Sequence, residues 1–300
     1  MKTKRELITQ RDPKSPVSEV FRTLRTNIQF MNANKKLKTL LITSTFPSEG
    51  KSWVASNLAV TFAQADNKVI LIDADMRKGR QYTIFGASPR PGLSNYLSGM
   101  DVEDGQEPDV TDYLQKTDIE NLLIMTAGNI PPNPSELLTS QKMIDLIKYL
   151  EQIFDIVIFD GTPSTIVTDA IILSKFVDST LIVSAHKETK IEDLNQVKRN
   201  ITNVGGRIAG VVVNKMPTNK KETKTGYYYE NSIVTSKKTW GITTKQAPKK
   251  KIEEAEINEV KRKLNEVETS TNKESEEKNK DIDINNVLQQ LSQYLESDRK

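Results

Sequence analysis

The apolar stretch Leu40-Leu41-Ile42 runs into Thr43-Ser44-Thr45-Phe46-Pro47-Ser48-Glu49-Gly50-Lys51-Ser52, and a helical pattern follows over residues 51–65. A strand, a loop closing in Gly-Lys-Ser and a helix suit anion binding. Such a loop turns consecutive backbone N–H groups inward and aims a helix N-terminus at the anion. The backbone of Glu49, Gly50, Lys51, Ser52 and Trp53 is expected to cradle phosphate. Gly50 permits close approach, Lys51 reaches the terminal phosphates and the Ser52 hydroxyl ligates Mg²⁺. The loop departs from the ordinary pattern in one respect, because its first glycine position holds Thr45.

Two further apolar runs end in acids. Residues 69–72 lead into Asp73-Ala74-Asp75-Met76-Arg77, and residues 156–159 lead into Asp160-Gly161. Parallel strands that finish at one sheet edge bring their last residues to the crevice where ligands bind. Ser52, Asp73 and Asp160 are therefore expected to converge on one Mg²⁺-nucleotide; the bland alternative is a pair of strand-capping aspartates. Asp75 lies on the face opposite Asp73 if the strand continues, and beside it if the chain turns first. Arg77 pairs with Asp75, with phosphate, or in a purely structural salt bridge.

Positioning these groups requires a sheet. Short, nearly continuous apolar runs recur at 40–42, 69–72, 122–124, 156–159, 181–183 and 209–213, as expected of strands buried on both faces. Helical patterns at 51–65, 135–150 and 193–204 alternate with them, the last ending at Gly205-Gly206. The fold class is α/β: a parallel sheet of the P-loop NTPase type with helices on both faces. Ahead of the first strand, Val17, Val20, Phe21, Leu24, Ile28 and Met31 form one helical stripe over residues 15–31, entered by Ser15-Pro16. Glu19, Arg22 and Arg25 lie three apart on a neighbouring stripe.

Charge is segregated. Residues 1–214 carry 25 basic and 25 acidic side chains, residues 215–251 carry 10 lysines against 2 acids, and residues 252–300 carry 8 basic and 13 acidic groups. The net +3 gives no case for a nucleic-acid partner, and none is expected. Absence of cysteine excludes disulfides and Cys-rich zinc sites, and the single histidine, His186, excludes a multi-histidine centre. No run of about 18 apolar residues is present, the length that spans a bilayer. The chain is expected to be soluble, in a reducing compartment. Three parts are expected: an N-terminal arm and helix over 1–36, a P-loop core over 37–217, and a charged, largely disordered tail over 218–300. The tail holds two amphipathic stripes, Ile257/Val260/Leu264/Val267 and Ile284/Val287/Leu288/Leu291/Leu295.

The loop from Ser44 to Ser52, with Asn57-Leu58-Ala59 after it, resembles the deviant Walker A motif of bacterial tyrosine kinases. Leu71-Ile72-Asp73-Ala74-Asp75-Met76-Arg77 is similar to their additional acidic motif, and Ile156 to Asp160 to their Walker B. Gly128-Asn129-Ile130-Pro131-Pro132-Asn133-Pro134-Ser135-Glu136 resembles a segment of the capsule and exopolysaccharide branch. Glu19, Arg22 and Arg25 match the family's subunit-contact motif. Tyr227, Tyr228 and Tyr229 stand where it carries its tyrosine cluster.

The resemblance implies an ATP-dependent protein-tyrosine kinase that phosphorylates its own tyrosines and those of other proteins. It further implies a homo-oligomeric ring through Glu19, Arg22 and Arg25, with Tyr227, Tyr228 and Tyr229 as acceptors. It implies activation by the cytoplasmic segment of a separate membrane protein, control of capsule synthesis, and a cytoplasmic site at the inner face of the plasma membrane. A tyrosine hydroxyl titrates near 10, so an acid near the metal must take its proton. Asp73 is the first choice and Asp75 the reserve. Asn214 either holds the adenine, as in relatives, or is an ordinary turn asparagine. The competing reading is a partition or septum-placing ATPase switch, which carries an extra lysine early in the loop; residues 44–49 hold none.

Overall fold

The computed structural model describes residues 6–31, 36–99 and 109–217. The tail from 218 to 300, with Tyr227, Tyr228, Tyr229 and both amphipathic stripes, lies outside the described residues. The core is a seven-stranded sheet: β1 (Thr39–Ser44), β2 (Val69–Asp73), β3 (Gln115–Lys116), β4 (Leu122–Met125), β5 (Ile156–Pro163), β6 (Ser179–Ala185) and β7 (Ile208–Asn214). Their order is β3-β4-β2-β5-β1-β6-β7, parallel throughout except for β3 against β4. Six strands fall on the six apolar runs. β3 is two polar residues on an edge, with no periodic signal to read.

In β1, β2 and β4 every residue is buried, which explains apolar runs in place of alternation. Register then does the positioning. β5 lies between β1 and β2, with Ile42 opposite Asp160 on one side and Asp73 opposite Asp160 on the other. The phosphate loop and both strand-end acids thus leave adjacent strands at one edge.

The helices are α1 (Ile8–Arg11), α2 (Pro16–Phe30), α3 (Lys51–Ala63), α4 (Gln81–Phe85), α5 (Leu93–Ser98), α6 (Pro134–Thr139), α7 (Gln141–Ile153), α8 (Asp169–Ser174) and α9 (Ile191–Asn203). Eleven of the thirteen residues of α3 are buried, because the sheet covers one side and α1 and α2 the other. Ser15 caps α2, its hydroxyl accepting from the Ser18 N–H at 3.2 Å. The Phe21 and Trp53 rings meet edge-to-face at 5.1 Å. Leu7, Phe21 and Ile28 join the core that holds β1 and α3, so the expected N-terminal arm packs on the strands' own core.

Two expectations need correction. The helix expected over 135–150 is two helices, parted at Ser140, which is extended (ψ 151°) and whose hydroxyl caps α7 by accepting from the Met143 N–H at 3.2 Å. A helical period runs through such a break unmarked, since the hydroxyl satisfies the orphan donor. The apolar stripe of α2 is also narrower than expected: Val20 is 65% exposed and Met31 39%.

Candidate active site

The loop after β1 is shaped by local conformation and by two side chains from afar. Gly50 is left-handed (φ 100°), and Ser48 takes φ 65°, uncommon for a residue with a Cβ. A Cβ on Gly50 would stand 2.2 Å from Asn214 Nδ2. That amide closes on the loop from the end of β7, donating to the Glu49 carbonyl at 2.8 Å. The Glu49 side chain is buried. Its carboxylate accepts from the Phe46 N–H at 2.8 Å and from the Thr189 hydroxyl. Glu49 thereby braces the loop against the end of β6. The Trp53 ring packs on Phe21 of α2.

Lys51 reaches back over the sheet edge. Its Nζ lies 3.0 Å from Asp75 Oδ2, 3.4 Å from Asp160 Oδ1 and 3.3 Å from Ser52 Oγ. Burial alone would lower the ammonium pKa, but Asp160, Asp75 and Asp73 together hold it above its ordinary value. The chain turns straight after Asp73, so Asp75 swings to the same side as the other acids, the second of the two alternatives read from spacing. Asp75 also accepts the Lys78 N–H at 2.9 Å.

Asp73 is fully buried. Its carboxylate accepts the N–H groups of Asp75, Arg80 and Gln81 at 3.2, 2.8 and 2.9 Å. Burial and the neighbouring Asp160 push its pKa up to about 7, against the pull of Lys51 and the Gln81 N–H.

Arg77 takes the structural alternative. Its Nε and Nη2 donate to the two oxygens of Asp169 at 2.8 and 3.2 Å, a bidentate pair to which the Ser135 hydroxyl adds 2.6 Å. Asp169 thus ties the acidic turn to the Pro-rich segment and α8. Downstream of Asp160 the chain stays extended to Pro163 across a register shift. A Cβ on Gly161 would stand 2.8 Å from Leu41 Cδ1, so that side chain would have to give way. The His186 backbone N–H donates to the Asn214 carbonyl at 2.9 Å.

Sequence reading missed Gln81 and Asp169. Neither lies in a motif, and no periodicity marks them. The tyrosine cluster was read but lies outside the described residues.

The oxygen set suits Mg²⁺: Ser52 Oγ and the carboxylates already surround one positive charge, the Lys51 ammonium. Among the described residues no three carboxylates or imidazoles form a self-sufficient cage. That accords with a cation held by one or two carboxylates together with substrate phosphates.

A family model described as an AAA domain matches residues 47–212. A Staphylococcus aureus protein named "Putative tyrosine-protein kinase CapB" is 40% identical over 220 residues, 73% of this chain and 93% of the relative. This chain is a bacterial tyrosine kinase of the capsule-region family. The tyrosine-protein kinase YwqD of Bacillus subtilis is 37% identical over 75% of this chain and 91% of its own length. The solved chimerical protein CapA2B2 superposes with a TM-score of 0.66 at 38% identity, covering 71% of this chain and 91% of that one. The septum-placing reading keeps a likeness of fold alone: the cell division ATPase MinD of Pyrococcus furiosus is 21% identical, with a TM-score of 0.50 over 63% of this chain and 78% of its own. As a P-loop protein of this family, the chain binds nucleotide. No helix among the described residues is long and apolar enough to cross a membrane.

Proposed function

We propose that this kinase transfers the γ-phosphoryl group of Mg²⁺-ATP to tyrosine hydroxyls, its own Tyr227, Tyr228 and Tyr229 and those of other proteins, in the control of capsule or exopolysaccharide synthesis. The observation that carries this reading is the meeting of Lys51, Ser52, Asp75 and Asp160 at one sheet edge, with Asp73 fully buried opposite Asp160. The loop N–H groups and Lys51 bind the phosphates and draw off their charge. Ser52 with Asp160 and Asp73 would hold Mg²⁺, which would supply further charge neutralisation. The bond to ADP breaks as the tyrosine oxygen bonds to phosphorus, and the phenolic proton passes to Asp73. Asp75, tied to Lys51, is the reserve. Asn214, whose amide donates to the Glu49 carbonyl of the phosphate loop, is proposed to contact the adenine ring as well.

Incubation with Mg²⁺-ATP and the activator segment, followed by phosphotyrosine mass spectrometry, should find phosphate on Tyr227, Tyr228 and Tyr229, gone when all three become Phe. ATP hydrolysis with no phosphotyrosine anywhere would defeat the reading. The activator is proposed to be the cytoplasmic segment of a separate membrane protein, which recruits the kinase to the inner face of the plasma membrane. That CapA2B2 is a chimera supports a second protein acting on the kinase. The division into an arm (1–36), a core (37–217) and a tail (218–300) belongs to the same reading.

Assembly is proposed to use α2. Val20 and Phe30 are 65% and 80% exposed, and Arg22 bonds to Glu19 and to the Pro13 carbonyl. Arg25 instead donates to the Thr61 carbonyl of α3 at 2.7 Å; burial, then Arg22, lowers its pKa. Replacing Arg25 therefore disturbs the fold as well as any ring. The cleaner variant is Glu19→Ala/Arg22→Ala, expected to fall from oligomer to monomer in light scattering. An unchanged mass would remove this helix from the interface.

A further inference from the structure

Gln81 opens α4 and is completely buried. Its backbone N–H donates to Asp73 Oδ2 at 2.9 Å. Its Nε2 donates to Asp160 Oδ2 at 2.8 Å and to the Ser52 carbonyl at 3.2 Å. Its Oε1 lies 2.8 Å from the Ser56 hydroxyl, whose one hydrogen is shared with the Ser52 carbonyl at 2.6 Å. Both amide hydrogens are thus used, and their two acceptors set the amide's orientation: flipped, its oxygen would face the Asp160 carboxylate and the Ser52 carbonyl. The consequence falls on Asp160. With Oδ2 taken by Gln81, the oxygen turned to Lys51 is Oδ1. The same amide ties that carboxylate to the backbone of Ser52, the residue whose hydroxyl lies in the cation set.

We propose that Gln81 is a positioning residue for the metal: it fixes the carboxylate of Asp160 relative to Ser52, so that both present oxygens to Mg²⁺ of the bound nucleotide together. The proposal rests on the Mg²⁺-nucleotide reading above. Groups that orient a metal ligand typically change metal affinity about 10–100-fold when removed.

The test is equilibrium binding of a fluorescent ADP analogue, N-methylanthraniloyl-ADP, with and without Mg²⁺. The wild type should bind more tightly with Mg²⁺. Gln81→Met, nearly isosteric and apolar, should lose about 10-fold or more of that enhancement while its Mg²⁺-free affinity stays within about 2-fold of wild type. Gln81→Asn, which keeps the amide but draws it back by one methylene, should show the same loss and serves if the Met variant does not fold. In an Asp160→Asn background Gln81→Met should cause no further loss, since it acts through that carboxylate. Full enhancement in both single variants, with only their melting temperatures lowered, would make Gln81 a core spacer and overturn the proposal alone. No enhancement in the wild type would bring down the magnesium reading and this proposal with it.

Discussion

Lys51→Met is expected to lower tyrosine phosphorylation by about 10²–10³-fold or more, the size of effect seen when one preorganised donor to developing charge is removed. Two physical effects add. In the transition state the variant lacks the cation that draws charge from the transferring group. Without nucleotide it also leaves Asp75 and Asp160, 4% and 0% exposed, facing each other across the vacated ammonium position. Removing one partner of a buried ion pair costs about 3–5 kcal/mol. The variant should therefore melt below wild type when free of ligand, and Mg²⁺-ADP should recover part of the difference by restoring positive charge among the same oxygens. A phosphotyrosine immunoblot and a melting curve read both effects. Phosphorylation at the wild-type rate would refute the assignment of Lys51.

Gly50→Ala is expected to weaken nucleotide binding about 10-fold or more while leaving the sheet intact. At φ 100° a Cβ is strained, at a cost of about 1–3 kcal/mol. At 2.2 Å from Asn214 Nδ2 it must also expel that side chain and break its bond to the Glu49 carbonyl, worth about 1 kcal/mol net. The two causes can be told apart. Asn214→Ala alone loses only the bond. Gly50→Ala/Asn214→Ala removes the obstacle but keeps the strain, so it should bind nucleotide better than Gly50→Ala by itself. A double variant as weak as the two single losses summed would show that the clash plays no part, because coupled neighbours must depart from additivity. Circular dichroism on each variant checks that the fold survives.

Much of this site was legible because its signals are local. A strand buried on both faces must be apolar along its length, so residues 40–42, 69–72 and 156–159 announced themselves. The residues that follow them, Ser44 to Ser52, Asp73 and Asp160, then had to lie at the crevice. The break at Ser140 was not legible, since a serine that caps a helix and one inside a helix read alike until its hydroxyl's partner is known. Nor was the exposure of Val20: a helical period says which residues share a stripe, while the width of α3 sets how much of that stripe is covered.

From residue order alone came the α/β class, the phosphate loop, the strand-end acids and the family resemblance, all consequences of periodicity and of neighbours within a few positions. Tertiary structure alone decided that Asp75 joins Lys51, that Arg77 belongs to Asp169, that Glu49 braces the loop from behind, and that Gln81 ties Asp160 to Ser52. Those contacts join residues as far apart as 140 positions for Glu49 and Thr189, 92 for Arg77 and Asp169 and 79 for Gln81 and Asp160. Side-chain hydrogen bonds at such separations depend on strand order and register, which bring distant turns to one edge, and no local pattern records which of the acceptors gathered there a given donor will find.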